Sequence, residues 1–135
     1  MMKIINSVGK RKNAVARAVI KKGTGKFRIN RIPFDLVKPE LSRLRLIEPI
    51  RLSKSVSDKL DINVITNGGG TTGMIDAARQ AISRGIVSWT GDDELKSKLI
   101  AYDRNLIVND PRRNEVSKES HSSKGPRRKR QSSKR

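Results

Sequence analysis

The last stretch of the chain most restricts what it can fold into. From Pro111 to Arg135 the only strongly apolar side chain is Val116, no aromatic residue occurs, and Lys and Arg recur throughout. Such a segment buries too little apolar surface to offset the entropy lost on ordering, so we expect it to be disordered in the free protein. The chain therefore predicts one globular domain over residues 1–110 and an extended basic tail over residues 111–135.

The formal net charge of +18 is unevenly distributed along the sequence. Residues 1–54 carry +12, residues 55–110 carry −2 and residues 111–135 carry +8. This partition favours two separate contact zones on a polyanion over a charge that only keeps the protein soluble. The run from Pro126 to Arg130 is typical of a segment that binds phosphates.

Several classes of chemistry lack the residues they need. Without cysteine there is no disulfide framework, thiol nucleophile or Cys-based zinc site, and the single His121 is interpreted as a solvated tail residue. No Ser/His/Asp set is present, and Asp92-Asp93-Glu94 suits a helix N-terminus better than a metal site. No apolar run matches a membrane span. We expect a soluble intracellular protein that is not an enzyme and needs no cofactor.

Hydrophobic periodicity predicts strands at residues 4–8, 14–20, 27–30, 62–66 and 106–108. In the second strand a period of two separates Ala14, Ala16, Ala18 and Ile20 from Val15, Arg17 and Val19. The Gly-rich segment 21–26 is read as a hairpin connection between the second and third strands. Residues 31–33 are expected to turn the chain, and residues 50–52 to be extended before a polar connection over 53–59.

Three helices are predicted, all on one face of the sheet, which makes the fold α+β. The first begins near Pro39, carries Leu41, Leu44 and Ile47, and stops at Pro49. The second has an apolar stripe formed by Ile75, Ala78, Ile82, Ile86 and Trp89, with Arg79, Gln80, Ser83 and Arg84 off the stripe. It ends at Gly91, and the third then buries Leu95, Leu99 and Tyr102.

Two features are candidates for contact with a polyanion. The cations of residues 10–12, 21–22, 26 and 28 are expected to form one patch on the predicted hairpin, where phosphates would relieve their mutual repulsion. The Gly68–Gly70 turn admits two interpretations: a backbone–phosphate contact at a helix N-terminus, or a sharp turn that only glycine permits. It is not a P-loop, because no Gly-Lys-Ser/Thr follows.

A set of motifs in a fixed order resembles the family of ribosomal small-subunit protein nine, over nearly the whole chain. The motifs are Gly9-Lys10-Arg11-Lys12-x-Ala14-x-Ala16-Arg17-Ala18, Gly68-Gly69-Gly70, Asp76-Ala77-Ala78-Arg79-x-Ala81-Ile82, Tyr102-Asp103-Arg104, Asp110-Pro111-Arg112-x-x-Glu115, and the closing Arg127-Arg128-x-x-Gln131-x-Ser133-Lys134-Arg135. Residues 82–87 and 102–104 are more similar to the archaeal and eukaryotic branch, and the closing Ser-Lys-Arg to the bacterial one.

The resemblance implies a four-stranded sheet with helices on one face and a place in the head of the small ribosomal subunit. It implies ribosomal RNA, neighbouring head proteins and the peptidyl-site transfer RNA as partners, in the cytoplasm, with no homo-oligomer. The residues expected to contact ribosomal RNA are Lys10, Arg11, Lys12, Arg17, Lys21, Lys22, Lys26, Arg28, Gly68, Gly69, Gly70, Arg112, Arg113, Lys124, Arg127, Arg128, Lys129 and Arg130. Those expected to reach the transfer RNA are Ser133, Lys134 and Arg135.

Two other functional classes are weighed against this one. A DNA-compacting or chromatin-associated protein could use the same basic tail, since Arg and Lys bind the phosphates of DNA and RNA alike. A small-molecule kinase with a related topology would need a nucleotide loop, a catalytic cation and a base, and the sequence lacks this set.

Overall fold

The chain folds as one mixed sheet with helices against one of its faces. The structure, a computed structural model, describes residues 2–118. Its strands are β1 (Ile4–Arg11), β2 (Ala14–Lys22), β3 (Phe27–Ile29), β4 (Ile32–Pro33) and β5 (Leu60–Asn67). Its helices are α1 (Glu40–Leu52), α2 (Lys54–Ser57), α3 (Thr71–Thr90) and α4 (Asp93–Tyr102), with 3₁₀ turns at Phe34–Leu36 and Arg104–Leu106. None of the helices within residues 2–118 is long and apolar enough to cross a membrane.

The sheet has five strands in the order β1-β2-β5-β3-β4 rather than the four expected. The additional strand is the two-residue β4, in the segment 31–33 predicted as a turn. Strands β1 and β2 form the true hairpin, joined by Lys12 and Asn13. The predicted hairpin between β2 and β3 is wrong, because β5 lies between them, antiparallel to β2 and parallel to β3.

The predicted alternation along β2 is confirmed, and it decides where the core lies. Ala14, Ala16, Ala18 and Ile20 are fully buried against the helices, whereas Arg17 and Val19 point to the open face of the sheet. Small side chains on this strand let α3 approach closely. The apolar stripe of α3 is also confirmed, since Ile75, Ala78, Ile82 and Ile86 are buried and Trp89 packs against the core.

Three of the predicted helix boundaries are confirmed, and one is wrong. Helix α1 starts directly after Pro39, Gly91 ends α3 in a left-handed conformation, and the Asp92 carboxylate caps α4 by accepting from the Glu94 amide at 2.9 Å. Pro49, however, lies inside α1, so the predicted stop there and the extended residues 50–52 are wrong. Pro49 is buried beside Leu46 and Ile50, so it packs into the core from within the helix.

Other differences follow from which surfaces the helices cover. Leu41 and Leu44 are exposed, because α1 buries Leu46, Pro49 and Ile50 instead. Tyr102, predicted to be buried, is 54% exposed at the end of α4. Residues 106–108 form no strand; the chain makes a 3₁₀ turn and continues across α3. The polar connection at 53–59 contains the short helix α2.

Candidate nucleic-acid interface

The cations of the globular part lie in two groups at opposite ends of β2, and not in one patch. Lys10 in β1 pairs with Val15, whereas Lys21 pairs with Asp61 of β5. With a rise of about 3.3 Å per residue, positions 15 and 21 are roughly 20 Å apart along the strand. The prediction that residues 10–12 and 21–28 are close together is therefore wrong, because it depended on a hairpin that does not form.

The first group lies where the β1–β2 turn meets the glycine loop. Lys10 and Lys12 are exposed there, and Lys12 has a positive φ of 53°. Gly68 and Gly69 have positive φ values of 74° and 71°, and a Cβ on Gly68 would stand 2.9 Å from the carbonyl oxygen of Asn13. Close approach and left-handed backbone thus require glycine at 68 and 69, which supports the sharp-turn interpretation. Gly70 then precedes α3 without a side-chain cap.

The second group surrounds a structural carboxylate. Asp61 accepts hydrogen bonds from the backbone amides of Thr24 and Lys26, each at 3.0 Å, and so holds the connection between β2 and β3. The hydrogen bond from the Lys26 amide does most to keep the pKa of Asp61 below its ordinary value, and the charges of Lys26 and Lys21 add to this effect. Arg28 is exposed nearby on the open face, and Lys22 is exposed at the same end of β2 on the helix side, where it lines a cavity with Val56 and Trp89.

Between the two groups lies the open face of the sheet, which no helix covers within residues 2–118. Arg17 stands at its centre, paired laterally with Val8 of β1 and Ile65 of β5. The side chains around it are aliphatic or amide, and Ile65 is 63% exposed. A shallow cavity of about 450 Å³ is lined by Asn13, Val15, Arg17, Ile65, Asn67 and Gly68. The face therefore combines a cation with amide donors and exposed aliphatic groups.

A third set of charged residues could not be recognised as a set in the sequence. It lies where the tail leaves the domain, around residues 110–112, and we call it the tail-root cluster. Its members come from β1, α1, α3 and the segment after α4; they are Arg11, Arg45, Glu48, Asp76, Arg79, Asp103, Asp110 and Arg112. All of them except Glu48 line a cavity of about 120 Å³.

Buried Arg79 is the centre of the tail-root cluster. Its side chain is 7% exposed, and it donates a hydrogen bond to Glu48 of α1. It also lies 3.7 Å from Asp76 and 3.6 Å from Asp103. Arg79, Gln80 and Ser83 are off the apolar stripe as predicted, yet all three are buried because other elements cover this side of α3. A signal was present in the sequence: Asp76 and Arg79 are spaced three apart, which places them on one helix face.

The predicted RNA-binding arginines near the start of the tail contact acceptors of the protein itself, which are carboxylates for Arg11 and Arg112 and backbone carbonyl oxygens for Arg113. Arg11 has a side chain 17% exposed and forms ion pairs with Asp76 and Asp110. Arg112 donates to both carboxylate oxygens of Asp110 at 2.7–3.1 Å, and Arg113 donates to the Asp110 carbonyl at 3.2 Å. Residues 111–118 are exposed and form neither helix nor strand. Lys124, Arg127–Arg130 and Ser133–Arg135 lie outside the described residues.

Within residues 2–118 no group of three or more His, Cys, Asp or Glu side chains could hold a metal ion. The acidic residues of the tail-root cluster alternate with arginines, which neutralise them. Fold and charge together thus define a basic α+β protein whose open sheet face and sheet ends suit a polyanion.

Comparison with known proteins gives the family. Residues 9–135 match the model of the family described as ribosomal protein S9/S16. The small ribosomal subunit protein uS9 of Methanococcus maripaludis strain C7 is 46% identical over 132 residues, which is 98% of each chain. The protein of the same name from Methanococcus vannielii is also 46% identical over 98% of each chain. These relatives agree with the archaeal-like motifs.

The chain belongs to the ribosomal protein S9/S16 family. It is accordingly a structural protein of the small ribosomal subunit with a role in translation, and the family is not one of enzymes.

Proposed function

We propose that the domain binds ribosomal RNA through the open sheet face and the cations at its two ends, and that the tail reaches the peptidyl-site transfer RNA. One observation carries the first part. Within the described residues, Lys10, Lys12, Arg17, Lys22 and Arg28 have no carboxylate within 4.0 Å, whereas Arg11, Arg45, Arg79 and Arg112 all do. Exposed cations without a carboxylate partner among residues 2–118 are free to neutralise phosphates, and these five lie on the open sheet face or at its ends, whereas the equally unpaired Lys96 and Lys98 lie on α4.

The chemistry of the open face favours RNA as its ligand. The minor groove of A-form RNA is wide and shallow, and it displays ribose rings and 2′-hydroxyl groups. Exposed Val8 and Ile65 suit contact with ribose, and the amides of Asn63 and Asn67 can donate to or accept from 2′-hydroxyls. Arg17 between them supplies the charge for a phosphate. The face therefore has a group for each part of an RNA backbone.

Arg11 and Arg112 receive a different part in this proposal. Because carboxylates of the protein hold both guanidinium groups, we assign them to the anchoring of the tail; the Arg112 side chain is 71% exposed and so stays a proposed RNA contact as well. Arg113 and the tail cations from Lys124 to Arg130 remain proposed phosphate contacts, and Ser133, Lys134 and Arg135 the proposed transfer RNA contacts. The Gly68–Gly70 backbone remains a proposed RNA contact through its position beside Lys12.

Neighbouring proteins of the small subunit are the remaining proposed partners. The surface best suited to one is an apolar groove of about 360 Å³, lined by Ile29, Ile32, Leu36, Val37, Met74 and Ile75 among others. Leu36 at its edge is 68% exposed. Nucleic acid offers few apolar groups for such a groove, so a protein chain is the better occupant.

Salt-dependent binding of the full chain to a transcript of the head domain of small-subunit ribosomal RNA tests the RNA contact. The double variant Lys10→Ala/Lys12→Ala should bind more weakly. It should also reduce the slope of log K against log salt by about 0.7–0.9 for each phosphate that the variant no longer neutralises. The control Lys96→Ala/Lys98→Ala removes the same charge from α4, in the helix layer, and should keep the original slope.

Equal slopes for the double variant and the unmodified protein would refute the proposed contact. A duplex DNA of the same length serves as competitor. Preference for DNA over the transcript at matched salt would favour the DNA-compacting alternative instead.

A further inference from the structure

We propose that the tail-root cluster, together with Arg84 of α3, fixes the direction in which the chain leaves the domain, with Asp110, Arg11 and Arg84 as the residues that position the tail. The part of this inference that concerns transfer RNA rests on the function proposed above. The part that concerns tail direction stands on the described contacts alone.

Asp110 is the point at which the direction is set. It is buried, and its carboxylate accepts from the Arg112 amide at 2.9 Å and from the Arg112 guanidinium, while Arg11 pairs with it from β1. Its carbonyl oxygen accepts from Arg113. Between these residues Pro111 restricts φ to one narrow range. Backbone and side-chain contacts thus hold residues 110–113 in one conformation at the point where the tail begins.

Arg84 holds the preceding segment to two elements of the core. Its Nε donates to the carbonyl oxygen of Ile107 at 2.8 Å, and its Nη1 donates to that of Val8 in β1 at 3.1 Å. Because both acceptors are backbone carbonyls, the contact fixes the path of the chain rather than the position of one side chain. With the Arg79–Asp103 contact at 3.6 Å, the segment 103–113 is attached to α3 and β1 at three places.

Stability alone does not account for this arrangement. A buried ion pair commonly stabilises a fold no better than apolar residues of similar volume, because the charges must first be desolvated. What charged pairs supply is geometry, since a guanidinium–carboxylate contact with two parallel hydrogen bonds fixes the orientation of both groups. The position of these pairs at the first residues of the tail suits that role.

The direction can be measured in the free protein. The chain lacks cysteine, so Ser88→Cys in α3 and Asn114→Cys, at the first residue after the fixed stretch 110–113, provide two unique sites for spin labels. Both positions are exposed. We expect a narrow distribution of distances between the labels. Asp110→Asn should broaden it, whereas Glu48→Gln, which removes a carboxylate charge from the same cluster without touching residues 110–113, should not. An equally narrow distribution in the Asp110→Asn protein would overturn the inference.

The functional consequence is tested in small subunits reconstituted with the full chain. Asp110→Asn should weaken peptidyl-site transfer RNA binding by part of the loss caused by removing residues 133–135. It should cause no further loss when combined with that truncation, because both changes act through the tail. An Asp110→Asn subunit that binds transfer RNA normally, beside a truncated one that does not, would refute the positioning role alone. Normal binding by the truncated subunit would instead refute the proposed transfer RNA contact, and the label distances would still decide the direction.

Discussion

The carbonyl oxygen of Ala77 in α3 occupies the space into which a Cβ on Gly9 of β1 would project. The amide of Ala81 and the side chain of Gln80 crowd the same point. Helix and strand therefore touch backbone to backbone, and the adjacent Ser7 hydroxyl donates to the Ala81 carbonyl at 2.6 Å. This contact sets the distance between α3 and the sheet. It therefore also sets the position of Asp76 and Arg79, the two residues that α3 contributes to the tail-root cluster.

Gly9→Ala should consequently destabilise the domain. Forcing a methyl group against helix backbone costs about 1–3 kcal/mol, the range for overpacked sites. Gly73→Ala is the control, because a Cβ at that position inside α3 makes only ordinary van der Waals contacts, 3.5 Å from the Arg11 carbonyl oxygen and 3.6 Å from the Ala14 Cβ. Urea unfolding of both variants provides the comparison; equal midpoints would show that α3 can move away without cost.

Asp61 should make the stability of the domain depend on pH in the acidic range. Since its folded-state pKa lies below the ordinary value, its contribution is complete above the unfolded-state pKa of about 3.9 and is lost as the pH falls toward the folded-state pKa. The difference in unfolding free energy between the unmodified protein and Asp61→Asn should therefore be largest near neutral pH and shrink below about pH 4. A difference that stays constant down to about pH 2 would contradict this account of the carboxylate.

The buried charge of Arg79 should matter more for stability than an exposed pair on the same protein. Arg79→Ala leaves Glu48, Asp76 and Asp103 without their shared partner, and breaking a buried pair costs about 3–5 kcal/mol. Arg43→Ala removes an ion pair with Glu40 at 3.3 Å. Because the Glu40 carboxylate is mostly exposed, the free energy of unfolding should fall by no more than about 1 kcal/mol. Thermal unfolding of the two variants compares their stabilities. A smaller loss of stability for Arg79→Ala than for Arg43→Ala would contradict the prediction.

The end of the tail should contribute to transfer RNA binding without contributing to folding. Removing residues 133–135 should weaken peptidyl-site binding by about 1.5–3 kcal/mol, the range for hydrogen bonds to charged groups. Arg135→Lys should restore only part of this loss, because lysine returns the charge but not the planar fork of donors. Filter binding of transfer RNA to reconstituted subunits measures both, with subunit assembly as the control. Full recovery by lysine would mean that only charge matters.

Local patterns in the sequence predict the second strand and the longest helix correctly. The period of two along β2 and the apolar stripe of α3 each depend on residues close in sequence, and the structure agrees with both. The predicted β2–β3 hairpin is wrong for the opposite reason. Nothing between residues 21 and 30 shows that β5, which follows much later in the chain, lies between the two strands. Asp61 of β5 holds the connection between β2 and β3 in place, because its carboxylate accepts hydrogen bonds from the backbone amides of Thr24 and Lys26.

The candidate site also has features that the local sequence predicts and features that only the tertiary fold determines. Exposed cations could be identified from charge alone, but their grouping could not, because Lys10 and Lys21 are separated by the length of β2. The tail-root cluster cannot be recognised from the sequence, because its members belong to separate motifs. Asp76 and Arg79 lie in one motif, Asp103 in a second and Asp110 in a third. Only the path of segment 103–113 across α3 brings them together. Gln80 lines the same cavity as Leu106 and Asp110 of this segment, and it is buried.

The most direct test of the central claim, that the open sheet face and its two ends contact RNA while the helix layer does not, is a map of protein–RNA cross-links in assembled small subunits. We predict cross-links at Lys10, Lys12, Arg17, Lys22 and Arg28 and along residues 112–135, and none on the exposed side of α4 at Lys96 and Lys98. Cross-links concentrated on α4, with Arg17 and its neighbours unmodified, would contradict it.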